Sequence, residues 1–215
     1  YAGAILFFTT AFGIGISIAV SALVARAVGM RDVAGAREKA TNGLILGSLL
    51  GVAFAALVWA FLPGFVGLLG ATGRTADLAV HFLAIVVPSQ PFLLIGMIGG
   101  AILRSHGDAR RAMMATVWGA VANAALDPVL IFALDWGLTG AAIASVVSRV
   151  VIAAMALLPI IRHYGGFDRP TVAGVMADVP PVFSIAGPAI LTQLATPVGQ
   201  AIVTRMVAGF GEAAV

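Results

Sequence analysis

The chain has 215 residues, 61% of them hydrophobic and 10% charged, with twelve Lys and Arg against nine Asp and Glu and a mean hydropathy of +1.09. Soluble domains carry about 25% charged residues, so this chain cannot clothe a water-facing surface, and the bilayer is its expected solvent. The absence of cysteine excludes disulfides and thiolate metal sites. His81, His106 and His163 stand too far apart for metal-ligand spacing, and a pI near 10.2 from a net charge of +3 points to loops facing anionic headgroups rather than to a nucleic-acid surface.

A membrane-spanning helix needs about 20 predominantly apolar residues. Six stretches qualify, at roughly 3–26, 42–62, 78–103, 112–134, 138–161 and 182–208. They are too long for barrel strands and do not alternate in polarity, so helices are expected. The first stretch begins directly after Tyr1, with no charged leader and no small-residue cleavage site. It therefore reads as a spanning helix and not as a signal peptide, and the chain reads as an internal piece of a longer membrane protein.

Arg26, Arg31, Arg37 and Lys39 follow this first stretch. The second carries Asn42 and then Gly43, Gly47 and Gly51, a four-residue repeat on one face suited to close helix packing. The segment 63–77 that follows contains only Arg74 as a basic residue. The third stretch contains PSQP at 88–91, where Pro88 and Pro91 predict a kink near mid-helix beside Gln90; Gly96 and Gly100 predict a second close contact. Arg104, Arg110 and Arg111 come next. By the positive-inside rule the loops with these clusters, and with Arg162 and Arg169, are cytoplasmic.

The fourth stretch ends VANAALDPVLIFAL. Asn123 and Asp127 lie one helical turn apart on one face. An ionised Asp near mid-bilayer costs about 2.5–3.5 kcal/mol on the insertion scale, so it takes up a proton or meets a cation. Pro128 has no N–H and frees the carbonyl of Ala124, adding an oxygen beside the pair. The bland alternative is an Asp reaching water near the outer helix end. It lies about seven residues inside that end, roughly 10 Å at the helical rise, too far for so short a side chain. The reading favoured is a carboxylate that holds Na⁺ or carries H⁺.

In the fifth stretch Arg149 either faces a wet cavity, pairs with an acid, or snorkels. The glycines of GLTGAAIAS, at 137–145, form no phosphate loop, since neither the Lys-Ser/Thr nor the preceding strand is there. The polar segment 162–181, RHYGGFDRPTVAGVMADVPP, reads as a linker between two lobes. In the last stretch Pro188 and Pro197 predict further bends, Gln193 and Gln200 offer cavity or interhelix groups, and Arg205 snorkels outward. Trp59, Trp118 and Trp136 fall near helix ends, as an aromatic belt requires. No nucleophile–base–acid set and no pair of close carboxylates appears, so nothing supports an enzyme.

Five motifs in order resemble the MATE family, the multidrug and toxic compound extrusion transporters. GISIAVSALVARAVGMRDVAGAREKA looks like its second helix and basic loop. AILRSHGDARRAM is similar to the loop after its fourth helix, and NAALDPVLIFAL to its N-x-x-x-D-P fifth helix. GLTGAAIASVVSRV resembles its sixth helix, and SIAGPAILTQLATPVGQAIVTRMVAGFGEAAV its seventh. The resemblance implies an all-α polytopic membrane protein whose six transmembrane helices are helices two to seven of a twelve-helix, two-lobe fold. Residues 1–161 would be first-lobe helices, 162–181 a cytoplasmic linker and 182–215 the start of the second lobe.

The resemblance also implies an antiporter in a bacterial inner membrane that exports small lipophilic organic cations in exchange for Na⁺ or H⁺. It would act as a monomer without cofactor or nucleic acid. Asn123 and Asp127 match the fifth-helix coupling pair, and Ser145 stands where a sixth-helix hydroxyl is expected. Na⁺, if that is the coupling ion, would sit among these three, with Pro128 bending the helix as the charge changes. Thr196 stands where NorM-like members carry Glu, which points to the DinF-like type. Two other readings are a lipid or oligosaccharide flippase of the same superfamily, which would line its cavity with several basic residues, and a non-transporting assembly subunit, in which Asp127 would be replaceable.

Overall fold

The computed structural model describes residues 2–68 and 73–208. It contains the helices α1 (Ala2–Gly29), α2 (Val33–Ala60), α3 (Leu62–Leu68), α4 (Gly73–Val86), α5 (Gln90–Ser105), α6 (Ala109–Pro128), α7 (Gly137–His163) and α8 (Val172–Ala208). A 3₁₀ turn at Val87–Ser89 joins α4 to α5, and a π-helical turn at Val129–Ala133 extends α6. Six segments are long and apolar enough to cross a membrane: Thr9–Gly29, Val33–Ala60, Ala76–Ser105, Ala109–Ala133, Gly137–His163 and Val172–Ala195. Every regular element among the described residues is a helix, as the composition predicts.

Helix α1 is the centre of the bundle. It packs on α8, α5 and α2, while α7 packs on α5 and α6. Ile16, Val20 and Val24 of α1 meet Leu94, Ile98 and Ile102 of α5 and Ile160 of α7 in the main core. Lipid tails are as apolar as these side chains, so association rests on close packing. The glycine repeat of α2 supplies it: Gly43 faces Val20, Gly47 faces Ile98 and Gly51 faces Leu94. On α5 the contact with α7 is made by Gly96 and Gly99, which face Ile152 and Ala156; Gly100 meets only Arg104 of its own helix. The expected Gly96–Gly100 pair is therefore shifted by one residue, because a helix face drifts between steps of three and four.

The proline break in the third span is where the sequence places it. Gln90 N–H turns to the Val87 carbonyl in the 3₁₀ turn. The Ala84 carbonyl, which Pro88 cannot serve, accepts Trp59 Nε1 at 3.3 Å. By contrast α8 runs as one helical segment through Pro180, Pro181, Pro188 and Pro197, so the expected bends do not interrupt it. It also begins at Val172, ten residues before the apolar run, so only residues 164–171 of the expected linker are non-helical. Its early start is anchored by Asp178, described below. Segment 63–77 holds α3 and the first turn of α4. Trp118 lies within α6 and not near an end, whereas Trp59 and Trp136 do lie at helix ends.

Two connections share one design. After α1, Arg31 N–H bonds to Val28 O and Asp32 N–H to Ala27 O; after α5, Gly107 N–H bonds to Arg104 O and Asp108 N–H to Leu103 O. In each the first residue is left-handed, Arg31 with φ 58° and Gly107 with φ 80°. The Asp that follows caps the next helix, accepting from Gly35 N or Arg111 N. The basic loops gather at one end of the bundle: Tyr164 OH donates to Asp108 Oδ2 at 2.9 Å, and Asp168 N–H to Thr41 Oγ1 at 2.8 Å.

Candidate functional site

Helix α6 is rich in alanine and lies on α7 along a seam of small residues. Ser148 Oγ donates to the Gly119 carbonyl at 2.8 Å, and a Cβ on Gly119 would touch Ile152. At the other end of the seam Gly140 sits against the backbone of Leu130, so close that a Cβ would lie 2.6 Å from its carbonyl oxygen. Between these two anchors the antiparallel register puts Ser145 level with the turn that carries Asn123 and Asp127.

Asn123, Asp127 and Ser145 are all half-buried. Among the described residues no hydrogen bond or ion pair reaches the side chain of Asn123 or Asp127. Ser145 Oγ donates to Ala141 O of its own helix at 3.0 Å, which leaves its oxygen lone pairs to accept or to coordinate. No hydrogen bond joins the three to one another. The helix changes its winding next to Asp127: Pro128 ends the α-helix, and Leu134 N–H then reaches Val129 O at 3.0 Å in the π-helical turn. Such single π-turns are rare and recur at functional sites.

Arg149 braces the other helix break. Its Nη1 donates to Val86 O and to Ser89 Oγ, both at 2.9 Å. Val86 O is left without its usual partner because Gln90 N–H has turned to Val87. Of the three sequence readings of Arg149, the structure shows none fully: it pairs with backbone and hydroxyl oxygens of a broken helix. The glutamine and asparagine positions divide likewise. Gln90 Nε2 donates to Thr9 Oγ1 at 2.7 Å and Asn42 Nδ2 to Asp178 Oδ2 at 2.7 Å, so both join helices. The side chains of Thr196, Gln200 and Arg205, and of Pro197, lie outside the described residues.

Sequence reasoning passed over Asp178, which it assigned to the linker. The side chain is buried and bonded by Lys39 and Asn42 of α2. The available signal was its place in VAGVMADV, where Val172, Val175, Met176 and Val179 already have helical spacing.

The chain was compared with known proteins. The family model MatE matches residues 1–129. An FAD transporter of Shewanella oneidensis is 29% identical, over 96% of this chain and 47% of its own length. The multidrug export protein MepA of Staphylococcus saprophyticus is 26% identical, over 95% of this chain and 45% of its own. Among solved structures, the outward-facing conformation of a multidrug resistance MATE family transporter of the MOP superfamily superposes with a TM-score of 0.83 at 27% identity, covering 93% of this chain and 45% of that one. An inward-facing conformation of such a transporter gives 0.80 at 28% identity, covering 91% and 45%. The chain spans less than half the length of these relatives.

Proposed function

The chain belongs to the MatE family, and from that membership we propose that it is the part of a secondary multidrug efflux antiporter that carries the coupling carboxylate, Asp127. The observation that supports this most is the half-buried Asp127 itself, free of any ion pair among the described residues and placed where α6 changes from α to π winding. A carboxylate in a bilayer without a fixed counter-charge exchanges H⁺ or Na⁺. Asn123 and Ser145, at the same depth, supply neutral oxygens. Binding of the cation removes the local charge beside the change from α to π winding that follows Pro128, and the helix shifts between the two windings as that charge comes and goes. Alternating access then follows if the two windings favour opposite openings of the cavity. Drug and cation lower each other's affinity, because coupling is reciprocal.

In this reading residues 1–161 belong to the first lobe and α8 opens the second, with the basic loops in the cytoplasm of a bacterium. The exported compounds are lipophilic organic cations, and the fold acts as a monomer. A second reading concerns substrate. The similarity to an FAD transporter favours an anionic flavin nucleotide.

The test is ion-gradient-driven export in vesicles by the full-length protein, with expression matched. Asp127→Asn keeps size and hydrogen bonding but removes the charge. It should insert normally and lose gradient-driven export. Export by this variant at the wild-type rate refutes the assignment. Supplying ethidium and FAD in parallel separates the two substrate readings.

A further inference from the structure

At the end of the bundle that carries the basic loops, a cleft of about 440 Å³ opens between the start of α2 and the ends of α1, α5 and α7. Arg31, Arg37, His106 and His163 line it, with Tyr164 and Gly165, and no carboxylate does. Its volume falls in the range of small-molecule sites, about 300–1,000 Å³. Two guanidinium groups beside two imidazoles, with no carboxylate in the lining, suit an anion.

Three features set this cleft apart from an ordinary basic surface. The first is Arg37. Its Nε–H is buried and, among the described residues, is the one buried side-chain donor or acceptor without a hydrogen-bond partner. The guanidinium rests against the bare backbone of Gly165, where a Cβ would lie 3.5 Å from Arg37 Cζ. A buried donor left unpaired destabilises the fold unless a ligand completes it. The second is Arg31. It holds the left-handed position that Gly107 fills in the matching turn, a conformation that strains an L-residue. Nothing in the turn itself requires an arginine there, but the cleft receives its side chain. The third is the local field. On α5 the carbonyls of Ile102, Leu103 and Arg104 accept the His106, Gly107 and Asp108 N–H groups, and on α7 the Ile160 carbonyl accepts both Tyr164 and Gly166 N–H. The N-terminus of α2 faces the cleft through Val33 and Ala36 and adds positive potential.

The acids nearby are held by other partners. Asp32 caps α2 by accepting from Gly35 N–H, and Asp108 is held by Arg111 and Tyr164 OH. His106 is oriented as well: its Nδ1 lies 2.9 Å from Ile102 O, and its ring stacks at a tilt on Tyr164. With Nδ1–H given to the carbonyl, Nε2 is the atom left for a ligand.

We propose that this cleft binds a phosphate group, with Arg37 and Arg31 as its principal donors and His106 as a third. The planar guanidinium fork suits phosphate oxygens, and the volume has room for the ester that carries them. The same chemistry is offered by an anionic phospholipid headgroup and by a soluble phosphate ester.

The experiment is thermal unfolding of the full-length protein in neutral phosphatidylcholine nanodiscs. One arm titrates phosphatidylglycerol into the disc, and the other adds glycerol phosphate to the buffer. The wild type should gain several degrees in Tm in at least one arm, and the arm that responds identifies the source. Arg37→Gln should weaken that response roughly tenfold or more in apparent Kd, the loss expected for a charge-assisted hydrogen bond, and should melt no lower than wild type without probe, since it removes the buried, unpaired Nε–H. Arg31→Gly, which also relieves the left-handed strain, should raise the probe-free Tm and blunt the response; it replaces Arg37→Gln as the deciding variant if that protein does not fold. Arg110→Gln, an exposed change of equal charge outside the cleft, should respond as wild type. No wild-type response in either arm, a full response in the deciding variant, or an equal loss in Arg110→Gln overturns the proposal.

Discussion

Lys39 Nζ lies 2.5 Å from Asp178 Oδ1 and ties α2 to α8 at the end of the bundle that carries the basic loops. Asn42 Nδ2 holds the other carboxylate oxygen at 2.7 Å. Asp178 is 3% exposed, whereas the Lys39 side chain is 34% exposed. Breaking a fully buried pair costs about 3–5 kcal/mol, while an exposed pair contributes about 0–1 kcal/mol. This pair is buried on one side only, so Lys39→Ala should cost on the order of 2 kcal/mol. A double-mutant cycle with Asp178→Asn in denaturant unfolding isolates the pair; a coupling energy indistinguishable from zero would show that the contact is idle.

Gly15 and Gly187 should respond in opposite directions to the same substitution. A Cβ on Gly15 would lie 3.0 Å from Ile190 N and 3.1 Å from Ile190 Cα, besides meeting that side chain, so α1 and α8 must move apart. Gly15→Ala should therefore cost about 1–3 kcal/mol by overpacking. Gly187 has nothing within 4 Å of such a Cβ, and Gly187→Ala should gain up to about 1 kcal/mol of helix propensity. Unfolding midpoints of the two variants, moving the same way, would contradict the α1–α8 crossing.

Arg149→Met sets two effects against each other. It removes a cation whose insertion costs about 2.5–3.5 kcal/mol. It also removes two charge-assisted hydrogen bonds to the helix break, each worth about 1.5–3 kcal/mol. Stability should change by less than about 2 kcal/mol, because Ser89 Oγ still donates to Val86 O. Transport should fall, since the broken helix loses its brace. Transport at the wild-type rate would make Arg149 dispensable to the break.

Asp108 predicts an acid-sensitive loop contact. The hydrogen bond from the Arg111 side chain, helped by Arg111 N–H and Tyr164 OH, holds its carboxyl below the usual carboxylate range. The folded state thus binds this proton more weakly than the unfolded state. The stabilisation is full above the ordinary Asp value, near 3.9, and is lost as pH falls through the lowered folded value. Asp108→Asn should destabilise at neutral pH, and its difference from wild type should shrink to nothing in melts taken at increasingly acid pH. A difference that stays constant with pH would assign the effect to packing instead of charge.

Much was legible because the bilayer admits few solutions. Long apolar runs must be helices there, which sets the number of spans, the all-α class and, through Pro88 and Pro91, the break in the third span. Asn123 and Asp127 stood out as candidates for the same reason: a polar residue in an apolar run needs a partner or a task. The sequence also carried the ordered motifs by which the family was identified. Local pattern does not encode which residue of one helix meets which residue of another. That choice decided that Gly99 and not Gly100 packs on α7, that Arg149 braces a break instead of pairing with an acid, and that α8 starts at Val172. Asp178 shows the reason most plainly. Read locally, VMADVPP carries an acid and ends in two prolines, which outweighed the helical spacing of its apolar residues and put it in a linker. Only the approach of Lys39 and Asn42, more than 130 residues away, compensates the burial of its charge and makes helix the lower-energy state for that segment.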